Sequence, residues 1–405
     1  MKRIIAAVLL FAILLTGCAE AAAAGDLMEG YVAQPISEEV VEPHVAPADF
    51  AVSLFQNSLT DGENTLVSPL SVLSALAMVA NGAEGETLSQ MEAVLGATPE
   101  QLNSWFLSYM SRLGEEDALH LANAIWFNTH ERFTPDPDFL QTNADYFGAG
   151  IRSGEFNEAL CREINKWVEE HTDGMIPEIL DEIPEDAVMY LVNALAFEAR
   201  WASTYREEQV RDGIFTTEDG REQDVRLMHD TVFAYLELEN AAGFLRHYKD
   251  GYTFAALLPN AGVTVAELAA SLEGAELTTL LAEPQGVPVK TAIPKFQGES
   301  SLKLNEILAN MGMGDAFDQE RANLTGLGTS SRGNIYINRV LHKTFISVSE
   351  EGTRAGAATM VEANDRAMGV MVDQKEVILD RPFIYMIVDT ESNLPIFMGT
   401  CMDLG

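Results

Sequence analysis

The stretch Glu350-Glu-Gly-Thr-Arg-Ala-Gly-Ala-Ala-Thr-Met-Val-Glu-Ala-Asn364 lies between two apolar runs, Val340–Val348 and Val377–Leu379, and its pattern decides the fold. Residues 349–376 are far longer than a hairpin connection of about 2–5 residues. Taken in steps of two, Thr353, Ala355, Ala357, Thr359, Val361 and Ala363 are all uncharged and all small or β-branched. The interleaved set, Arg354, Gly356, Ala358, Met360, Glu362 and Asn364, carries both charges. That is the period of a strand with one buried face. A loop patterned as a strand implies two states, one exposed and one inserted into a sheet.

Working outward, Val188–Phe197 is almost continuously apolar, as expected of a strand buried on both faces. Further strands are predicted at Leu119–Phe127, Phe254–Leu258, Thr291–Phe296, Ile335–Ile337, Val340–Val348, Val377–Leu379, Phe383–Val388 and Ile396–Cys401. Helical periodicity covers Asp49–Leu59, Thr87–Leu95, Pro99–Leu113 and residues 160–171. Another helix opens at Ser68-Pro69, a cap followed by proline at the first helical position, and runs to about Ala80. Helices in the first half and strands in the second predict an α+β fold rather than a parallel βαβ array.

The chain has 405 residues and 47% hydrophobic content, enough for a large core. A prior of about 150 residues per domain suggests two or three domains. With 62 acidic against 25 basic residues, the net charge of -37 excludes nucleic acid as a partner, because phosphate binding needs clustered Lys and Arg. No Walker loop, dinucleotide fingerprint, CxxC pair or HExxH motif is present, and the seven histidines never fall at zinc-ligand spacing. Asp136 and Asp138 read as an acidic turn, since the glycine and later ligands of a calcium loop are missing. No cofactor, metal or catalytic residue is expected. Cys161 and Cys401 read as small buried hydrophobes, with a disulfide between them left open.

The N-terminus carries Lys2 and Arg3 before twelve apolar residues, Ile4–Leu15, too short for a membrane span of about 18 or more. Leu15-Thr-Gly-Cys18 then resembles a lipoprotein cleavage box, in which Cys18 is lipidated and becomes the new N-terminus. Residues 1–17 are the expected signal peptide. Residues 18–47, with six acidic and no basic side chains, read as a flexible tether. The mature protein is accordingly expected outside the cytoplasm and anchored to a membrane by lipid.

From about Asp49 to Leu404 the chain resembles a serpin. Asn64-Thr-Leu-Val-Ser-Pro-Leu-Ser71 is similar to the entry into the family's second helix, and Asn81-Gly-Ala-Glu-Gly-Glu-Thr87 to the turn after it. Asn193 and Trp201 match the central strand, and Ile293-Pro-Lys-Phe296 matches a strand of the smaller sheets. His342-Lys343 begins the strand that leads to Glu350-Glu-Gly-Thr353, the family's hinge, and Val377-Ile-Leu-Asp-Arg-Pro-Phe383 fits the signature after the reactive loop. The resemblance implies one domain, residues 48–405, with helices, three β-sheets and an exposed reactive-centre loop at about 350–376.

It also implies a function: a monomeric inhibitor that is attacked as a substrate, inserts its cut loop into the main sheet and traps the protease as an acyl-enzyme. The alternative is a non-inhibitory serpin acting as a binding or chaperone module. In inhibitory members the scissile residue lies sixteen positions after the one matching Glu350, which gives Arg366, with Ala367 following. Arginine there implies a trypsin-like serine protease, and Met368 is the rival for a chymotrypsin- or elastase-like one. Asp365 departs from what most trypsin-like enzymes prefer, and Arg354 stands where the family usually has Glu. The hinge set is Glu350, Gly352, Thr353, Ala355, Gly356, Ala357 and Ala358, and a sheet-opening cluster is expected of Ser68, Ser71, Asn193, His342 and Trp201.

Overall fold

The computed structural model describes residues 25–36, 47–112, 118–129, 133–185, 187–249, 251–353 and 374–404. Its main sheet has eight strands: β1 (Gly25–Asp26), β2 (Leu119–Asn128), β3 (Gly150–Gly154), β4 (Met189–Phe197), β5 (Ala199–Arg200), β6 (Phe296–Lys303), β7 (Arg339–Val348) and β8 (Gly352–Thr353). Their spatial order is β1-β3-β2-β4-β7-β8-β5, with β6 also pairing β7. A six-stranded sheet runs Tyr235–Glu237, Ala241–His247, Tyr252–Pro259, Phe383–Asp389, Leu394–Cys401, Leu66–Val67. A four-stranded sheet runs Lys375–Ile378, Val289–Pro294, Glu222–Val232, Val210–Thr216. These are the three sheets expected, with one further two-stranded ribbon, Thr134–Pro135 against Gly328–Thr329.

The helices follow from local chemistry. α1 (Pro47–Ser58) buries Phe50, Leu54 and Phe55. α2 (Pro69–Ala80) opens where the Ser71 amide donates to Ser68 Oγ, and all twelve of its residues are buried. Having no polar face, α2 is enclosed, packed against the main and six-stranded sheets and against neighbouring helices. α3 (Gly85–Leu95) ends on Gly96, whose φ of 75° closes the last turn in the left-handed region. α4 (Pro99–Arg112) and α5 (Pro137–Tyr146) follow, α5 capped by the Asp136 carboxylate, so the acidic turn is a helix cap. α6 (Glu158–His171) starts at Asn157, whose side chain accepts from the Ala159 and Leu160 amides, and buries Leu160, Cys161, Ile164, Trp167 and Val168. That stripe lies over the main sheet, with Trp167 edge-on to Trp126 at 6.3 Å.

Several expectations from sequence need correction. Ile335 and Ile337 are buried but form no strand, because the Ile337 amide donates to the Ala316 carbonyl instead of to a ladder. Thr291–Phe296 splits at Lys295 into strands of two different sheets. Val265–Ala270 and Gly274–Ala282 are helices in the second half, so the halves are less segregated than the pattern suggested, although the α+β class stands. Residues 25–36, assigned above to the flexible tether, lie against the fold: β1 pairs β3, and Leu27, Met28 and Tyr31 pack on the core. Cys161 and Cys401 are both buried and free. Among the described residues no helix is long and apolar enough to cross a membrane, and no group of three or more His, Cys, Asp or Glu could hold a metal.

The α6 cap gives a stability test. Asn157→Ala removes the acceptor for two amides and costs about 1 kcal/mol, so the urea midpoint falls while Asn157→Asp keeps it. An unchanged midpoint in the alanine variant contradicts this account of how α6 is held.

Candidate functional site

The centre of the main sheet holds an unusual interface. β4 and β7 run parallel, in register from Arg339 opposite Tyr190 to Phe345 opposite Ala196. Their other neighbours, β2 on β4 and β6 on β7, are antiparallel. Parallel pairs need long crossovers and are slightly less stable per residue. At one end of this interface the chain turns after β7, and β8 lodges between β7 and β5, antiparallel to both: Thr353 faces Val348 on one side and Ala199 on the other. β8 thus occupies the first step of a slot that β4 and β7 close below it.

The slot is latched near its middle. His342 lies opposite Asn193 in the β4–β7 register, and its Nδ1 bonds Asn193 Oδ1. The Ser68 amide lies 2.9 Å from His342 Nε2. A backbone amide can only donate, so Nε2 is the acceptor and Nδ1 carries the proton it donates to Asn193. Asn193 Nδ2 then donates to Asn123 Oδ1, and Asn123 Nδ2 reaches the Ser71 carbonyl at 3.5 Å. Ser71 is joined to Ser68 through the 3.4 Å amide–hydroxyl bond that caps α2. The chain of bonds therefore runs from the buried helix through both central strands. His342 is 1% exposed, and burial lowers its pKa to about 3, so it stays neutral.

The hinge is held by a second group of residues. Trp201 Nε1 donates to the Ser349 carbonyl at 2.8 Å, the Trp201 amide to Glu351, and the Tyr205 amide to Glu350. Trp201 stacks on Tyr248 at 4.2 Å, and the Tyr248 hydroxyl pairs with Thr353 Oγ1 at 2.7 Å. The Glu350 carboxylate pairs with the Lys295 ammonium. Burial pushes its pKa up, but the Lys295 ammonium, the Glu350 backbone amide and the Arg226 charge together bring it below the usual carboxylate value. Gly352 has a φ of 154°, and a Cβ there would stand 2.1 Å from the Ala199 carbonyl oxygen, so only glycine fits.

The structure brings Ser68, Ser71, Asn193 and His342 together as expected from sequence. Trp201 is elsewhere, at the hinge with Glu350, Gly352 and Thr353, so the five-membered cluster is two clusters. Ala355, Gly356, Ala357, Ala358, Arg366, Ala367 and Met368, like Cys18, fall outside the described residues. Asn123, Tyr248 and Lys295 are partners not singled out from sequence as members of either cluster. Asn123 had a signal, a lone amide in the apolar run Leu119–Phe127. Nothing local marks Tyr248.

The histidine latch predicts a pH dependence. The unfolded chain takes up a proton at His342 as pH falls below about 6.5, while the folded chain does not until about 3. Its contribution is therefore complete above about 6.5 and is lost toward 3, by up to about 1.4 kcal/mol per pH unit. His342→Gln keeps an acceptor and a donor but does not titrate. Urea midpoints between pH 7.5 and 5 should fall less in that variant than in the parent, and equal slopes contradict the buried neutral imidazole.

Comparison with known proteins agrees with this geometry. The family model for serpins, serine protease inhibitors, matches residues 45–404. An uncharacterised serpin-like protein of Thermococcus kodakarensis is 31% identical over 87% of this chain and 84% of its own length. The leukocyte elastase inhibitor of Sus scrofa is 31% identical over 86% of this chain and 96% of its own. Among solved structures, the thermophilic serpin tengpin in its native state superposes with a TM-score of 0.89 at 44% identity, covering 94% of this chain and 100% of that one. Tengpin in its latent state gives 0.78 at 42% identity, covering 92% of this chain and 100% of its own. The chain belongs to the serpin family.

Proposed function

We propose that this serpin inhibits a trypsin-like serine protease by loop insertion, offering the Arg366–Ala367 bond as bait, and that it does so outside the cytoplasm, lipid-anchored through Cys18. The observation that carries the reading is the closed parallel interface of β4 and β7 with β8 seated antiparallel at its entrance. A strand continued from Thr353 into that slot runs antiparallel to both neighbours. It replaces one parallel ladder by two antiparallel ones, each new hydrogen bond contributing about 1 kcal/mol net. The residues next in line, Ala355, Ala357, Thr359, Val361 and Ala363, present the uncharged parity such a site requires.

In this mechanism the protease serine Oγ attacks the Arg366 carbonyl carbon, the Arg366–Ala367 C–N bond breaks, and the protease histidine gives its proton to the departing Ala367 amine. The Arg366 acyl ester remains. Insertion then drags the ester-linked enzyme along the sheet before water completes the turnover. A displacement of about 1 Å in its triad costs roughly a hundredfold in rate. The Sus scrofa relative is named for an elastase. Arginine suits instead a pocket with an acidic floor, and that difference supports a trypsin-like target for this chain.

Incubation with trypsin is expected to give an SDS-stable covalent complex. Arg366→Ala removes a charge that the pocket would bury, about 3 kcal/mol or more, so inhibition slows by about a hundredfold or more. Thr353→Arg puts a cation at the fully buried slot entrance and turns inhibitor into substrate. Clean loop cleavage of the parent chain without complex overturns the inhibitory reading in favour of a binding module.

A further inference from the structure

We infer that residues 25–34 fix the orientation of the anchored protein, holding the pole opposite the hinge against a lipid surface and pointing the loop-bearing pole away from it. This rests on the lipidation of Cys18 proposed above. The polarity of the main sheet sets the direction. β2 begins opposite Phe197, beside the hinge, and ends with Phe127 opposite Met189 at the far end. β3 runs parallel to β2, with Gly154 opposite Asn128, so Ser153 and Gly154 lie at that far end. β1 is antiparallel to β3: Gly25 faces Ser153, Asp26 faces Arg152, and the Leu27 amide bonds the Ile151 carbonyl. The chain therefore enters at the far pole and climbs toward the hinge.

The attachment is continuous. Asp26 pairs with Arg152 at 3.9 Å and accepts from the Met28 amide at 3.0 Å. Gln141 of α5 donates to the Val32 carbonyl, and the Gln34 amide donates to Asp145 of the same helix at 2.8 Å. Leu27, Met28 and Tyr31 pack on the core between these points. Only seven positions separate Cys18 from Gly25. Even fully extended they span at most about 25 Å. The ten residues of β2 place the hinge about 33 Å further along. Without Lys2 and Arg3 the anchored chain keeps 62 acidic against 23 basic side chains, and that negative charge keeps the body from lying flat on anionic lipid. The slot entered from the hinge thus runs toward the membrane, so an enzyme carried by the inserting loop is carried toward the bilayer.

The test uses the full lipidated chain on phosphatidylcholine vesicles with an energy acceptor on a minor headgroup-labelled lipid. A donor dye is placed at Glu155→Cys, exposed just beyond β3, or at Glu207→Cys, exposed two residues past the hinge contact Tyr205. Cys161 and Cys401 are buried and do not compete for label. Transfer from position 155 should exceed that from 207 by about twofold or more, given the ~33 Å offset. Leu27→Pro removes the amide bonded to Ile151 and should narrow the difference. Equal or reversed transfer from a chain that floats with the vesicles, or an unchanged difference in Leu27→Pro, overturns the orientation alone. A chain that fails to float removes the anchor, and the orientation with it.

Discussion

Everything in this molecule depends on two strands lying parallel where their neighbours are antiparallel. β4 and β7 meet over seven facing positions, from Tyr190 and Arg339 to Ala196 and Phe345. The interface satisfies both backbones, so the sheet is complete. A strand running the other way could still separate the two and bond to both. On the proposed mechanism the closed state is not the lowest available, and its lifetime depends on the barrier to parting the pair.

Two groups of side chains sit on that barrier. The His342–Asn193–Asn123 relay, tied to α2 through the Ser68 amide, crosses the interface at mid-length. Trp201, Tyr248 and Lys295 hold the hinge at its entrance. The relay is polar, buried and directional, since each member donates to the next. Parting β4 from β7 breaks it at the His342–Asn193 step and leaves buried groups unpaired, at about 1–3 kcal/mol each. An incoming strand must replace those bonds as it advances, which couples opening of the slot to its filling.

Much of this was legible in the sequence. The two-residue parity after Thr353, the apolar run of β4 and the ordered blocks from Asn64 to Phe383 led to the fold and to four of the five latch residues. Patterning failed where tertiary contacts override local preference. Ile335 and Ile337 are apolar enough for a strand, yet the backbone of Ile337 is spent on Ala316. The hairpin of Val210–Thr216 and Glu222–Val232 is largely exposed and polar, so its alternation is faint. Residues 25–36 carry the composition of a linker, and their docking depends on an open edge at β3 that no local pattern announces. Trp201 belongs with the hinge rather than with the relay, because its indole reaches the Ser349 carbonyl at the entrance of the slot.

The central claim is that the slot between β4 and β7 accepts the loop. Thermal unfolding of the chain before and after a single cut within residues 354–373 tests it most directly. Some ten new ladder bonds, at about 1 kcal/mol net each, should raise the melting temperature of the cut form by about 20 °C or more. A cut chain that melts where the intact one does would show that the loop stays outside, and that the parallel pair is merely part of a finished sheet.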